Sequence, residues 1–144
     1  MRGEPGSPMT RHDDIIHDWN VAPGTTQRLR PVRLHDETLR DGLQNASATD
    51  PGLVDKRAIV AGLEACGVDS VNVGLPGAGQ RPRRDIADLL AFIRDEGLQI
   101  RPAVACRTHA ADLEPAIALS QDAGVEVEAM TFLGTSPIRL YTEG

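Results

Sequence analysis

From residue 31 onward, two hydrophobic periods take turns along the chain. Short β-branched runs are followed by longer stretches in which apolar residues recur every three or four positions. Residues 31–36 (PVRLHD) open the pattern as a strand candidate. Asp50-Pro51 reads as a helix start, with Asp as cap and Pro at the first helical position. Leu53, Ile59, Val60, Leu63 and Cys66 then recur at helical spacing up to Gly67. Residues 68–73 form a second strand and 75–79 (LPGAG) a loop; Ile86, Leu89, Leu90 and Ile93 mark a second amphipathic helix that closes at Gly97. Residues 98–105 are the third strand. A third helix is expected from Asp112 to Gly124, with Pro115 in its first turn where the missing N–H costs little, and 125–133 make a fourth strand.

One repeat supports this order. Cys66-Gly67-Val68, Glu96-Gly97-Leu98 and Ala123-Gly124-Val125 each end a helix on glycine and lead at once into a strand. The connections are too short to join anything but neighbouring parallel strands, so the chain reads as α/β with the order βαβαβαβ. A doubly wound sheet and a (β/α) barrel both satisfy that order. Residues 1–30 have no sustained period and are rich in Gly, Pro, Thr and charge, which predicts a flexible leader. The HDDIIHD segment within it (His12, Asp13, Asp14, His17, Asp18) is read as a solvated polar turn in preference to a metal site.

Composition narrows the class. With 15 basic against 21 acidic residues, the net charge of −6 and the lack of a basic run exclude a nucleic-acid footprint. The two cysteines, Cys66 and Cys106, have no metal-ligand spacing, which points to a reduced, cytoplasmic protein. No stretch approaches the ~18 apolar residues of a membrane span, and the start of the chain has no signal-like apolar region.

In parallel α/β architectures, functional groups gather at the C-terminal ends of the strands. Four segments stand there, at 36–45, 72–79, 106–109 and 134–139, and all are unusually polar or glycine-rich. LPGAG lacks the trailing Lys-Ser/Thr of a nucleotide loop and serves either as a simple flexible turn or as a close backbone approach to a ligand or a neighbouring loop. Cys106-Arg107 is either a thiol beside a cation or a small buried side chain at a strand end. His109 either binds a carboxylate or thioester or merely precedes a helix. Thr135 and Ser136 offer hydroxyls to an anion or form an ordinary loop. In the first exit, HDETLRDGLQN, Asp41 is a hard oxygen ligand for a divalent cation and Arg40 can stabilise a developing enolate or alkoxide. Gln44 can hydrogen-bond a substrate oxygen. The alternative is an Arg-Asp ion pair that caps a loop.

Residues 36–44, DETLRDGLQ, closely resemble the D-x-T-L-R-D-G-x-Q signature of the metal-dependent α-isopropylmalate synthase and homocitrate synthase family, TIM-barrel enzymes related to hydroxymethylglutaryl-CoA lyase. Residues 67–76 look like the family's second strand and 132–137 like its fourth, so the likeness spans 31–144. The resemblance implies that Asp41 binds a divalent metal (Mg, Mn or Zn), that Arg40 lies beside the keto-acid oxygen, and that Gln44 is the neighbouring amide. Asn72 stands where many members have glutamate, and His109 falls near a substrate-contacting histidine of homocitrate synthases. Asn72, His109, Thr135 and Ser136 are therefore expected to contact substrate.

The activity implied is condensation of acetyl-CoA with a 2-oxo acid. The alternatives are carbon–carbon lyase chemistry and a non-catalytic half-barrel that binds a partner. A complete eight-stranded barrel needs about 250 residues, and the family's His-x-His has no counterpart among the four histidines (His12, His17, His35, His109). Residues 31–144 are thus expected to be the N-terminal half of a (β/α)8 barrel with four strands and three helices. Alone it should be inactive, and it should pair with itself or with a complementary C-terminal half. The apolar residues of strands 68–73 and 125–133 should then stand open to water beside two unpaired strand edges.

Overall fold

The structure, a computed structural model, describes residues 31–143. Four parallel strands, β1 (His35–Asp36), β2 (Ser70–Asn72), β3 (Arg101–Arg107) and β4 (Glu128–Phe132), form one sheet in the order β1-β2-β3-β4. Helices α1 (Leu53–Ala65), α2 (Gln80–Asp95) and α3 (Ala110–Ala123) connect them, and α4 (Pro137–Glu143) follows β4. Such sequential βα units are the α/β half-barrel that the pattern and the resemblance imply. No helix among the described residues is long and apolar enough to cross a membrane.

The repeated helix ends share one hydrogen-bonding scheme. Gly67, Gly97 and Gly124 all have positive φ, and the next residue's N–H reaches back five positions: Val68 to Leu63, Leu98 to Ile93, Val125 to Ser120. This reversal aims each following segment back into the sheet. Ile86, Leu89, Leu90 and Ile93 are the buried stripe of α2, as their spacing predicts. They pack with Val60 of α1 and with Val71, Val104 and Cys106 of the sheet. Each fully buried Leu or Ile stabilises the fold by roughly 1.5–3 kcal/mol relative to exposure.

Register divides the sheet into two faces. Val71 pairs with Pro102, Val104 with Ala129, and Cys106 with Thr131. Paired residues share a face, and Val71, Val104 and Cys106 carry theirs into the helices. The other face carries His35 beside Ser70, then Asn72 beside Ala103 beside Glu128, then Ala105 beside Met130. That face is polar on β1 and β2.

Several expectations are corrected. β1 begins at His35 and not at Pro31, because the Leu34 N–H is taken by the Asp69 carboxylate (2.7 Å), which stops the ladder upstream. α1 begins at Leu53 with Gly52 as cap, since the Asp50 carboxylate is bonded to Lys56 and Arg81 and does not cap. α3 begins at Ala110, two residues before Asp112, which places Pro115 beyond the first turn. The strands are shorter than the apolar runs containing them. The exit after β4, expected as a loop, turns into α4 from Pro137, which makes four helices among the described residues. The second strand is not open to water: Val71 and Val73 are buried under the helices. On the β4 side the expectation holds, with Phe132 54% and Leu133 72% exposed. The leader, with its HDDIIHD segment, lies outside the described residues.

Candidate active site

The site begins where β1 ends. The Asp36 carboxylate accepts hydrogen bonds from the Thr38 N–H and hydroxyl, both at 2.9 Å. The Glu37 carbonyl accepts from the N–H groups of Arg40, Asp41 and Gly42. This tight wrap sinks Leu39 into the core and leaves Arg40 and Asp41 at the surface of the turn. A 3-10 turn, Gly42–Gln44, then presents Gln44.

Glu37 is the hub. Its Oε2 accepts from Arg40 Nε at 2.6 Å, and its Oε1 accepts from Asn72 Nδ2 at 3.2 Å. His35 Nε2 lies 3.1 Å from Oε1, and His35 Nδ1 lies 2.8 Å from the Ser70 hydroxyl. Partial burial opposes ionisation of Glu37, but the hydrogen bonds from Arg40, Asn72 and His35 prevail and hold its carboxyl below the usual range. The hydrogen bond to Glu37 likewise raises the Arg40 guanidinium pKa, against a smaller opposing effect of burial. Asn72 is fully buried with both ends of its amide spent, since its Oδ1 accepts from the Gly74 N–H at 3.1 Å. Gly74 has φ of 144°, and a Cβ there would stand 3.2 Å from Ile86, so glycine is needed for the chain to leave β2 this way.

Arg40 and Gln44 line a cleft of about 330 Å³, which also takes in Lys56, Arg81, Asp50 and Asp85. Lys56 is buried and donates to Asp50 (2.8 Å) and Asp85 (2.7 Å). Burial disfavours its charge, yet the two carboxylates outweigh that and raise its pKa; the same contact holds Asp50 below the usual carboxylate range. The cleft therefore has a charged wall locked by internal pairs, and Arg40 and Gln44 line it as well.

The structure divides the predicted site residues. Arg40 and Gln44 share this cleft, and Asn72 reaches it through Glu37. Asp41 stands beside them, 63% exposed, accepting from Arg40 Nη1 at 3.2 Å. The ion-pair reading of Arg40 and Asp41 is thus realised, with Glu37 as the closer partner. His109 lies elsewhere, on a cleft of about 560 Å³ at the exits of β3 and β4 with Arg107, Phe132 and Arg139. Its Nδ1 caps α3 by accepting from the Ala111 N–H. Ser136 accepts from the Arg139 N–H at the start of α4, and Thr135 is exposed nearby. Cys106 is fully buried, and burial followed by the nearby Asp112 charge pushes its thiol pKa up, which is the inert alternative. LPGAG packs closely at Gly77, where a Cβ would stand 2.9 Å from the Asp112 carboxyl carbon, and its Leu75 and Ala78 line the cleft of Arg40.

A divalent metal is tested by its donors. Asp41 is an accessible hard oxygen. Among the described residues no three of His, Cys, Asp and Glu are grouped to hold an ion, so these residues do not by themselves make a metal centre. Sequence reading missed Glu37 and Lys56. Glu37 stood inside the motif, three residues before Arg40, and that spacing in a turn was the available signal. Lys56 had none, because its partners are 6 residues before it and 29 after it in sequence.

Comparison with known proteins places the chain in a family. The family described as HMGL-like matches residues 31–143. The chain is 31% identical over 116 residues to homocitrate synthase AksA of Methanocaldococcus jannaschii, covering 78% of this chain and 25% of that protein. It is 30% identical over 112 residues to a 2-isopropylmalate synthase of Nitratidesulfovibrio vulgaris (76% and 20%). It is 32% identical over 109 residues to that of Stenotrophomonas maltophilia (74% and 20%). The chain thus spans a quarter or less of the length of these relatives.

Proposed function

The chain belongs to the HMGL-like family, and on that footing we propose that it carries the first four βα units of a barrel that condenses acetyl-CoA with a 2-oxo acid. The observation supporting this is the placement of Arg40 and Gln44 on one cleft at the C-terminal ends of β1 and β2. In this chemistry a base removes a proton from the acetyl methyl group. The resulting carbon attacks the ketone of the oxo acid, the former ketone oxygen becomes an alkoxide, and water then cleaves the thioester to release CoA. Arg40 offers a fixed positive charge to that oxygen as its charge builds, and Gln44 offers an amide hydrogen bond. Asp41 would be one oxygen ligand of Mg, Mn or Zn, with the others coming from outside the described residues; such a metal, when bound, polarises the oxo acid. Asn72 acts through Glu37, and His109, Thr135 and Ser136 would meet the more distant part of the substrates.

The test measures free thiol released from acetyl-CoA with several 2-oxo acids, with and without Mg²⁺ or Mn²⁺. It is run on the chain alone and with a chain supplying the remaining strands. Condensation gives thiol that depends on the oxo acid. Acetyl-CoA formed from a hydroxyacyl-CoA would replace this reading by a lyase. Neither reaction in the completed barrel would leave a half-barrel that only binds a partner.

A further inference from the structure

The orientation of Arg40 is set through the buried Asn72 side chain at the end of β2. The Gly74 N–H holds one end of the Asn72 amide, and the other end donates to Glu37. Glu37 in turn accepts from Arg40 at Nε, the nitrogen nearest the side-chain stem. A guanidinium is planar, so a carboxylate fixed at Nε sets the plane of the whole group. Nη1 is taken by Asp41, which leaves Nη2 without a protein partner among the described residues. Buried amides are costly to leave unpaired, so Asn72 and Glu37 hold each other in place. None of this requires a ligand to be bound.

We propose that Glu37 is a positioning residue: anchored on the buried Asn72 amide, it holds the Arg40 guanidinium so that its remaining nitrogen meets the oxygen of a 2-oxo acid. The proposal rests on the reading of this cleft as an oxo-acid site, and its test separates the two. Glu37 touches no substrate itself. Its role is to remove the freedom that a long, flexible cationic side chain would otherwise lose on binding.

The experiment follows the Arg40 Nε–Hε resonance of the full chain, paired with a chain supplying the remaining strands, by NMR, in the parent, Glu37→Gln and Glu37→Ala, with backbone amides as the fold control and pyruvate as the probe. In the parent, Arg40 Nε–H should exchange with water at least ~10-fold more slowly than in Glu37→Ala, the factor expected of a charge-assisted hydrogen bond. Glu37→Gln, which keeps an acceptor but not the charge, should fall between. Pyruvate should shift the parent resonance and bind Glu37→Ala about tenfold more weakly. Equal exchange in parent and Ala variant overturns the proposal, as does equal pyruvate affinity. If Glu37→Ala does not fold, exchange in Glu37→Gln equal to the parent overturns it. A parent whose Arg40 is ordered through Glu37 but does not respond to pyruvate overturns the oxo-acid reading and leaves the Glu37–Arg40 geometry standing.

Discussion

At the scale of single residues, two ion-paired arginines, Arg40 and Arg107, differ in what they leave free. Arg40 gives two nitrogens to carboxylates and still lines the cleft. Replacing it by Ala in a completed barrel is expected to lower kcat by ~10²–10³-fold, the usual cost of losing one oxyanion donor. A lowered melting temperature with unchanged turnover would mark it as a structural ion pair instead. Arg107 and Asp112 are the contrasting case. Two guanidinium bonds at 2.8 Å hold the Asp112 carboxyl at about 2, below its ordinary 3.8. Because the folded value is the lower one, the pair's contribution is complete above the unfolded value and is lost as pH falls toward about 2. Urea unfolding across that window should show a fall in the parent that Asp112→Asn lacks. Parallel pH curves would remove Asp112 from acid sensitivity.

At the scale of elements, the cleft wall is a clamp. Lys56 on α1 is tied to Asp85 on α2 and to Asp50 in the loop before α1. Lys56→Met removes the shared cation and leaves Asp85 without it and Asp50 with Arg81 alone, at a cost on the order of 3 kcal/mol in unfolding free energy. Adding Asp85→Asn to that variant should recover part of the loss; no recovery would mean the two do not interact. A second joint lies where the turn after β2 meets α3. Gly77→Ala would press its Cβ against the Asp112 carboxyl group, an overpacking expected to cost ~1–3 kcal/mol. An unfolding midpoint equal to the parent's would show that the turn can yield.

At the scale of the whole molecule, the sheet is covered unevenly. The helix-facing side of β2 and β3 is buried, whereas all five residues of β4 are exposed. Among the described residues β4 has a partner strand on one side only, and Leu133, Ile138, Leu140 and Tyr141 beyond Phe132 are also exposed. An open strand edge beside apolar surface favours association. The chain is therefore expected to be catalytically silent alone and to self-associate, or to take up a complementary half. Sedimentation over a concentration series should show growing mass, and a compact monomer at tens of micromolar would sink this expectation.

Much of this protein was determined by local pattern. The stripe Ile86, Leu89, Leu90 and Ile93, the three glycine reversals and the alternation of strands and helices all follow from periods and caps, which act over a few neighbouring residues. The motif around Arg40 and Gln44 was visible for the same reason, being contiguous. The tertiary structure decided what distant groups did to one another. It drew Asp50 from capping α1 to bonding Lys56 and Arg81, delayed the start of β1 by tying Leu34 to the Asp69 carboxylate, and set His109 apart from Arg40 in a second cleft. It also made Glu37 the hub, by bringing Asn72 to it from 35 positions away. Propensity is carried by neighbours in sequence, whereas ion pairs and buried hydrogen bonds are chosen by neighbours in space, and only the fold says which those are.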